Sequence, residues 1–94
     1  NVTYDYGSDV TATGAYGSGS NVVLVKYDSS GTALWARSVS ACNDNSVFHA
    51  VTADGTDSVY TAGYQEGSGT FTYGEQTAGG SSIYDNVVLV KWEP

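Results

Sequence analysis

The single histidine, His49, and ten carboxylates are the side chains best suited to moving protons in this 94-residue chain. A hydrolytic triad brings a serine, a histidine and an acid together, and one common signature of it is the serine turn G-x-S-x-G. That pentapeptide is absent, and His49 stands between Phe48 and Ala50 in an apolar run, as a strand residue would. Glu66 and Glu75 flank the glycine-rich segment 67–74. A glycosidase would need such a pair about 5–10 Å apart across a cleft, and their neighbours do not distinguish them from solvated loop acids. No catalytic residue is assigned, and the chain is expected not to be an enzyme.

Asp54-Gly55-Thr56-Asp57 and Asn43-Asp44-Asn45 gather oxygen ligands without the 1-3-5-12 spacing of an EF-hand. The same residue types close hairpin turns by local hydrogen bonding, so no metal or cofactor is expected. Cys42 is alone, which excludes an intrachain disulfide and a cysteine-based zinc site. Gly17-Ser18-Gly19 lacks the lysine and following helix of a phosphate loop. Asn1-Val2-Thr3 matches a glycosylation sequon, of consequence only in a eukaryotic secreted protein.

Aromatic residues are the richest recognition feature, since tyrosine and tryptophan offer rigid amphipathic contact area. Trp35 and Tyr60 lie within apparent strands and are expected to pack internally. Phe71 and Tyr73, in the glycine-rich segment, and Tyr84 are expected as exposed contacts for a glycan or protein, joined by the turn acids Asp54 and Asp57.

The elements that position these groups are strands. Valine, tyrosine and threonine dominate, leucine occurs three times, methionine never, and there are 12 glycines; this mixture suits pleated sheets and tight turns. Net charge is −7, which repels phosphate backbones and anionic membranes. No stretch approaches the roughly 18 apolar residues of a membrane span. The lysine-poor, Ser/Thr/Gly/Asn/Tyr-rich composition suits an exported protein, and any signal peptide is expected to have been removed.

Asn-Val-Val-Leu-Val-Lys occurs at 21–26 and again at 86–91, followed by Tyr27 and Trp92. This spacing of 65 residues makes about one and a half repeats; a looser echo at 49, from Val2-Thr3-Tyr4-Asp5 to Val51-Thr52-Ala53-Asp54, leaves the blade boundary open. Runs bounded by turn residues predict strands over 21–28, 32–40, 47–54, 58–65 and 86–92, a short edge strand within 69–74, and loops at 40–46 and 76–85. On 32–40, Leu34, Ala36 and Ser38 share one face and Trp35, Arg37 and Val39 the other. The fold class is therefore all-β: an antiparallel meander of hairpins in one module, 1–94, with a first blade over 1–40 and a second over 47–94 carrying an inserted loop, 66–85. Because Val22–Val25 and Val87–Val90 are apolar at every position, both runs are expected to be covered on both faces.

NVVLVKYDSSGTALWAR followed by VFHAVTADGTDSVYTAGY resembles the bacterial seven-bladed β-propeller repeat, the SBBP repeat. The resemblance covers residues 21–65, with Asn86–Trp92 as a partial second copy. It implies a section of a β-propeller whose strands read third, fourth, first, second, third. Since stacked repeats bury their faces on neighbours, the chain is expected to be part of a larger propeller or to assemble into a homo-oligomer or filament through Asn86, Val88, Val90 and Trp92. The resulting expectation is a non-catalytic structural and interaction module, secreted or on a bacterial cell surface; the alternative is a lectin-like module holding a glycan with loop aromatics and Asp/Asn. Neither nucleic-acid binding nor membrane insertion is expected.

Overall fold

Runs of β-branched and aromatic residues, each stopped by an Asp/Ser/Gly turn, become nine strands in the computed structural model, which describes residues 3–93. They are β1 (Thr3–Asp5), β2 (Thr11–Thr13), β3 (Val23–Tyr27), β4 (Ala33–Ala41), β5 (Ser46–Ala53), β6 (Val59–Glu66), β7 (Thr70–Tyr73), β8 (Gln76–Gly79) and β9 (Asp85–Trp92). All pairings are antiparallel, and there is no helix among the described residues. Asn1 and Val2 of the sequon lie outside the described residues.

The strands form three sheets, ordered β1-β2, β3-β4-β7-β8 and β5-β6-β9. Residues 3–40 thus form no continuous four-stranded sheet, because β1-β2 stands as its own hairpin beside β4. The larger difference from expectation lies at 67–84. Thr70–Tyr73 is an inner strand between β4 and β8, and Gln76–Gly79, expected as loop, is a strand. The cause is the alternation Thr-Phe-Thr-Tyr, which gives the segment an apolar face; Phe71 and Tyr73 carry it into the core. The β7-β8 hairpin is inserted between β6 and β9, which pair directly with each other through eight residue pairs.

The core lies between the two larger sheets. The β3-β4-β7-β8 sheet contributes Val22, Val39, Phe71 and Tyr73, with Leu24, Trp35 and Ala78 partly buried beside them. The β5-β6-β9 sheet contributes Val59, Val88, Val90 and Trp92, with Phe48 partly buried. Removing one such aliphatic or aromatic side chain from water contributes about 1.5–3 kcal/mol. Gly63 permits the close approach of β5, since a Cβ there would overlap the Val47 carbonyl oxygen.

Polar groups inside this core are matched across the sheets. Tyr73 OH donates to Gln65 Oε1 (2.9 Å), and Gln65 Nε2 donates to the Ala78 carbonyl (2.9 Å), so fully buried Gln65 ties β6 to both strands of the inserted hairpin. Trp92 Nε1 donates to Thr61 Oγ1 (2.8 Å). Among the described residues no buried side-chain nitrogen or oxygen lacks a partner, which avoids the 1–3 kcal/mol cost of roughly each unmet group.

Candidate interaction surface

Period-two geometry and the register of β5-β6-β9 place a set of apolar residues on the face turned away from the core. Val87 stands opposite Tyr64, and Leu89 opposite Ala62; across β6 these continue to Val47 and Ala50 on β5. Val87 and Leu89 are exposed, at 92% and 74%. His49 borders this patch with its ring against Tyr64 (5.7 Å between centroids), and Lys91 Nζ lies over the Tyr60 ring at 5.8 Å. Electrostatic interaction with Tyr60, followed by the hydrogen bond that Lys91 donates to the Glu93 carboxylate, raises the Lys91 pKa at the patch edge.

The expectation that both apolar runs are covered on both faces is not met within the chain. Val88, Val90 and Trp92 of β9 face the core, whereas Val87 and Leu89 face solvent. In the first copy the pattern is inverted: Val22 is buried and Leu24 packs on the core, while Val23 and Tyr27 are exposed. Of the strand residues expected to mediate assembly, Val88, Val90 and Trp92 turn their side chains into the chain's own core and Asn86 bonds the loop before it, so the strand offers a partner its backbone edge and its Val87, Leu89 and Lys91 face. Val87, Leu89 and Lys91 are the outward members of that strand. β9 is nevertheless an edge strand, pairing only with β6 among the described residues.

The motif asparagines hold loops in place. Asn21 Oδ1 accepts from the Tyr16 amide (2.9 Å) while its Nδ2 donates to the Tyr16 carbonyl (2.8 Å). Asn86 Oδ1 accepts from the Ser82 amide (3.0 Å) and its Nδ2 donates to the Gly67 carbonyl (2.9 Å). Each asparagine fills the space against a glycine, Gly14 or Gly80, where a Cβ would overlap it.

The other candidates separate clearly. Phe71 and Tyr73, expected as exposed contact aromatics, are fully buried core residues. Burial pushes the Tyr73 phenol up to about 12 and also raises the Cys42 thiol. Tyr84 is exposed on the loop before β9. Asp54 closes the β5-β6 turn: its Oδ1 accepts from Thr56 Oγ1 (2.7 Å), the Thr56 amide (2.8 Å) and the Ser58 amide (3.2 Å), and its Oδ2 from Tyr60 OH (3.2 Å). These bonds, those from Thr56 foremost, hold its pKa below the usual carboxylate value. Asp57 adopts a left-handed backbone (φ 68°) and lies 3.7 Å from Lys26 Nζ.

A groove of about 400 Å³ brings Asp54 and Asp57 together with Tyr27, Trp35, Leu24 and Val51. By contrast, Glu66 and Glu75 do not converge. Glu66 ends β6 and accepts from Asn45 Nδ2 (2.7 Å). Glu75 shares a pocket with Trp92, whose partner Val59 begins β6, and a strand of that length spans about 23 Å. Among the described residues no three or more His, Cys, Asp or Glu side chains cluster as metal ligands. Sequence reasoning missed the outward set Tyr64, Ala62, Val87 and Leu89; their alternation with buried neighbours becomes visible only once the register is known.

Compared with known protein families, curated proteins and solved structures, the chain matches none.

Proposed function

We propose that this chain is a non-catalytic structural and interaction module, a section of a β-propeller-like repeat array of the SBBP kind, exported to the bacterial surface and covered in its working form by neighbouring repeats. The observation that carries this reading is the apolar face on which Val87 and Leu89 stand exposed opposite half-buried Tyr64 and Ala62. Exposed apolar patches on soluble domains mark contact surfaces, and repeat units bury such faces against the next unit. The composition, poor in lysine and rich in Ser, Thr, Gly, Asn and Tyr, supports export. Light scattering across a concentration series tests the proposal: the mass should rise above the 9.8 kDa of one chain, and a constant single-chain mass contradicts it.

The groove at Asp54 and Asp57 favours one second reading, a lectin-like site in which Tyr27 and Trp35 offer ring surface to a sugar. Arg37 already lies over the Trp35 ring, 4.5 Å from its centroid, which leaves Tyr27 as the freer aromatic. A glycan-array screen of the chain and of Tyr27→Ala tests this: binding that is lost on substitution supports it, and no binding to any glycan removes it.

A further inference from the structure

Along any strand, successive backbone N–H and C=O groups point to opposite edges, and the two copies of the sextet use different edges. At β9 the Gly67 amide donates to the Tyr84 carbonyl (2.8 Å), and the register runs on without a shift to Val59 opposite Trp92. Alternation from that bonded pair makes Gln65–Asn86, Gly63–Val88 and Thr61–Val90 bonded pairs as well. Leu89 and Lys91 therefore send their backbone groups to the other edge, where no strand pairs with β9 among the described residues. At β3 the Asp28 amide donates to the Thr32 carbonyl (2.9 Å), and the same alternation turns Lys26 and Leu24 toward β4, opposite Trp35 and Arg37. The bulge at this point places the extra residue, Leu34, on β4, so the alternation of β3 continues through it. Leu24 and Lys26 are the motif counterparts of Leu89 and Lys91. The edge that β3 gives to β4 is thus the edge that β9 leaves free.

We propose that the free edge of β9 takes up a strand of the β4 type, donated by a neighbouring repeat, in the register that β4 has on β3. This rests on the reading of the chain as part of a repeat array, and it names the segment that joins one repeat to the next. Carried over from β3, the register sets the residue equivalent to Arg37 opposite Leu89, that of Ala36 opposite Val90 and that of Trp35 opposite Lys91. Residues directly opposite in a sheet share a face. The tryptophan and arginine of the added strand then stand on the solvent face beside Leu89, which is 74% exposed. In β4 itself this pair is stacked, with the guanidinium 4.5 Å from the ring centroid, and so offers a broad cover for an apolar surface. The alanine and serine equivalents of Ala36 and Ser38 fall on the core side. There a groove of about 260 Å³ lies between Gln76, Thr77 and Ala78 of β8 and Leu89, Val90 and Lys91 of β9, and small side chains suit it. Main-chain bonds supply the affinity of such strand addition, and alternate side chains supply its specificity.

Amide hydrogen exchange read by NMR, with a synthetic peptide of residues 32–41 as the added strand, tests this. In the chain alone, Leu89 and Lys91 should exchange fast while Val88 and Val90, bonded to β6, are protected. Peptide added to about 1 mM should slow exchange at Leu89 and Lys91 by about tenfold. A peptide N-methylated at the Arg37 amide, which lacks the donor facing Leu89, should leave both amides fast. Leu89→Pro should abolish the peptide's effect at Lys91 and keep the fold, because proline is tolerated where the lost N–H faces outward from an edge. Unchanged exchange at Leu89 and Lys91, or equal protection by the methylated peptide, overturns the proposal. So does protection of these amides that grows with protein concentration in the absence of peptide, since the edge then belongs to a second copy's strand. The outcomes separate from those of the array reading: a chain that gains mass in light scattering and ignores the peptide loses only the strand addition, and one that takes up the peptide at constant single-chain mass loses only self-assembly.

Discussion

β3 and β9 are reached through identical sextets, yet one turns Val22 and Leu24 to the core and the other turns Val88 and Val90. The sextet therefore carries no preference for a face, since it is apolar on both. Its neighbours decide. β3 pairs with β4 in the sheet on one side of the core, and β9 pairs with β6 in the sheet on the other. What this teaches is that an every-position apolar strand is suited to the middle of a stack, and that a chain with two layers leaves one face of each unmatched.

The sharpest way to break the comparison is at the aromatic after each sextet. Trp92→Ala should cost about 3–5 kcal/mol, because Trp92 is buried edge-on against Phe48 and Tyr73 and bonded to Thr61. Tyr27→Ala, at the same motif position, should cost less than about 1 kcal/mol. Urea unfolding of the two variants checks the pair, and equal losses would remove the asymmetry.

A second effect belongs to the inserted hairpin that closes the core over β9. The unfolded chain releases the tyrosine proton near pH 10, whereas buried Tyr73 holds it to about 12. Stability is thus fully present below pH 10 and falls as pH rises toward 12, by roughly 2–3 kcal/mol. Cys42, raised by burial, adds a slope of the same sign beginning near its ordinary value. Denaturant midpoints measured from pH 8 to 12 should fall in the wild type and fall less steeply in Tyr73→Phe.

The smallest effect is one in which the two copies should agree. Asn21 and Asn86 make matching amide bonds to the loops before their strands. Asn21→Ala and Asn86→Ala should each cost about 1–2 kcal/mol, and thermal unfolding of both should show losses of similar size.

Much of the local structure was legible in the residues. The strands containing Val25, Trp35, Val51, Tyr60 and Val88 match their predicted spans to within one or two residues at each end, because apolar runs ending in Asp-Ser-Ser-Gly or Asp-Gly-Thr-Asp leave few other conformations. The faces of β4 were also legible: Trp35, Arg37 and Val39 point together toward the core side, as their pairing with Lys26, Leu24 and Tyr73 requires. The strand at Thr70–Tyr73 was legible, but not its inner position between β4 and β8, nor the strand Gln76–Gly79, because the surrounding glycines read as loop and only two alternating aromatics, Phe71 and Tyr73, marked a core face. Pairing of β4 with β7 is nonlocal, and no local pattern encodes it. The same limit hid the candidate surface. Val87 and Val88 are chemically indistinguishable in the sequence, and only the register opposite Tyr64 and Gly63 tells which one faces water.

Thiol reactivity tests the central claim most directly. In a Cys42→Ser background, cysteine is placed singly at 22, 23, 87 and 88, and alkylation rates are measured at a dilution where the chain is monomeric. The account predicts opposite orders in the two copies: Val87→Cys reacts much faster than Val88→Cys, whereas Val22→Cys reacts more slowly than Val23→Cys. Rates that follow the same order in both copies would contradict it.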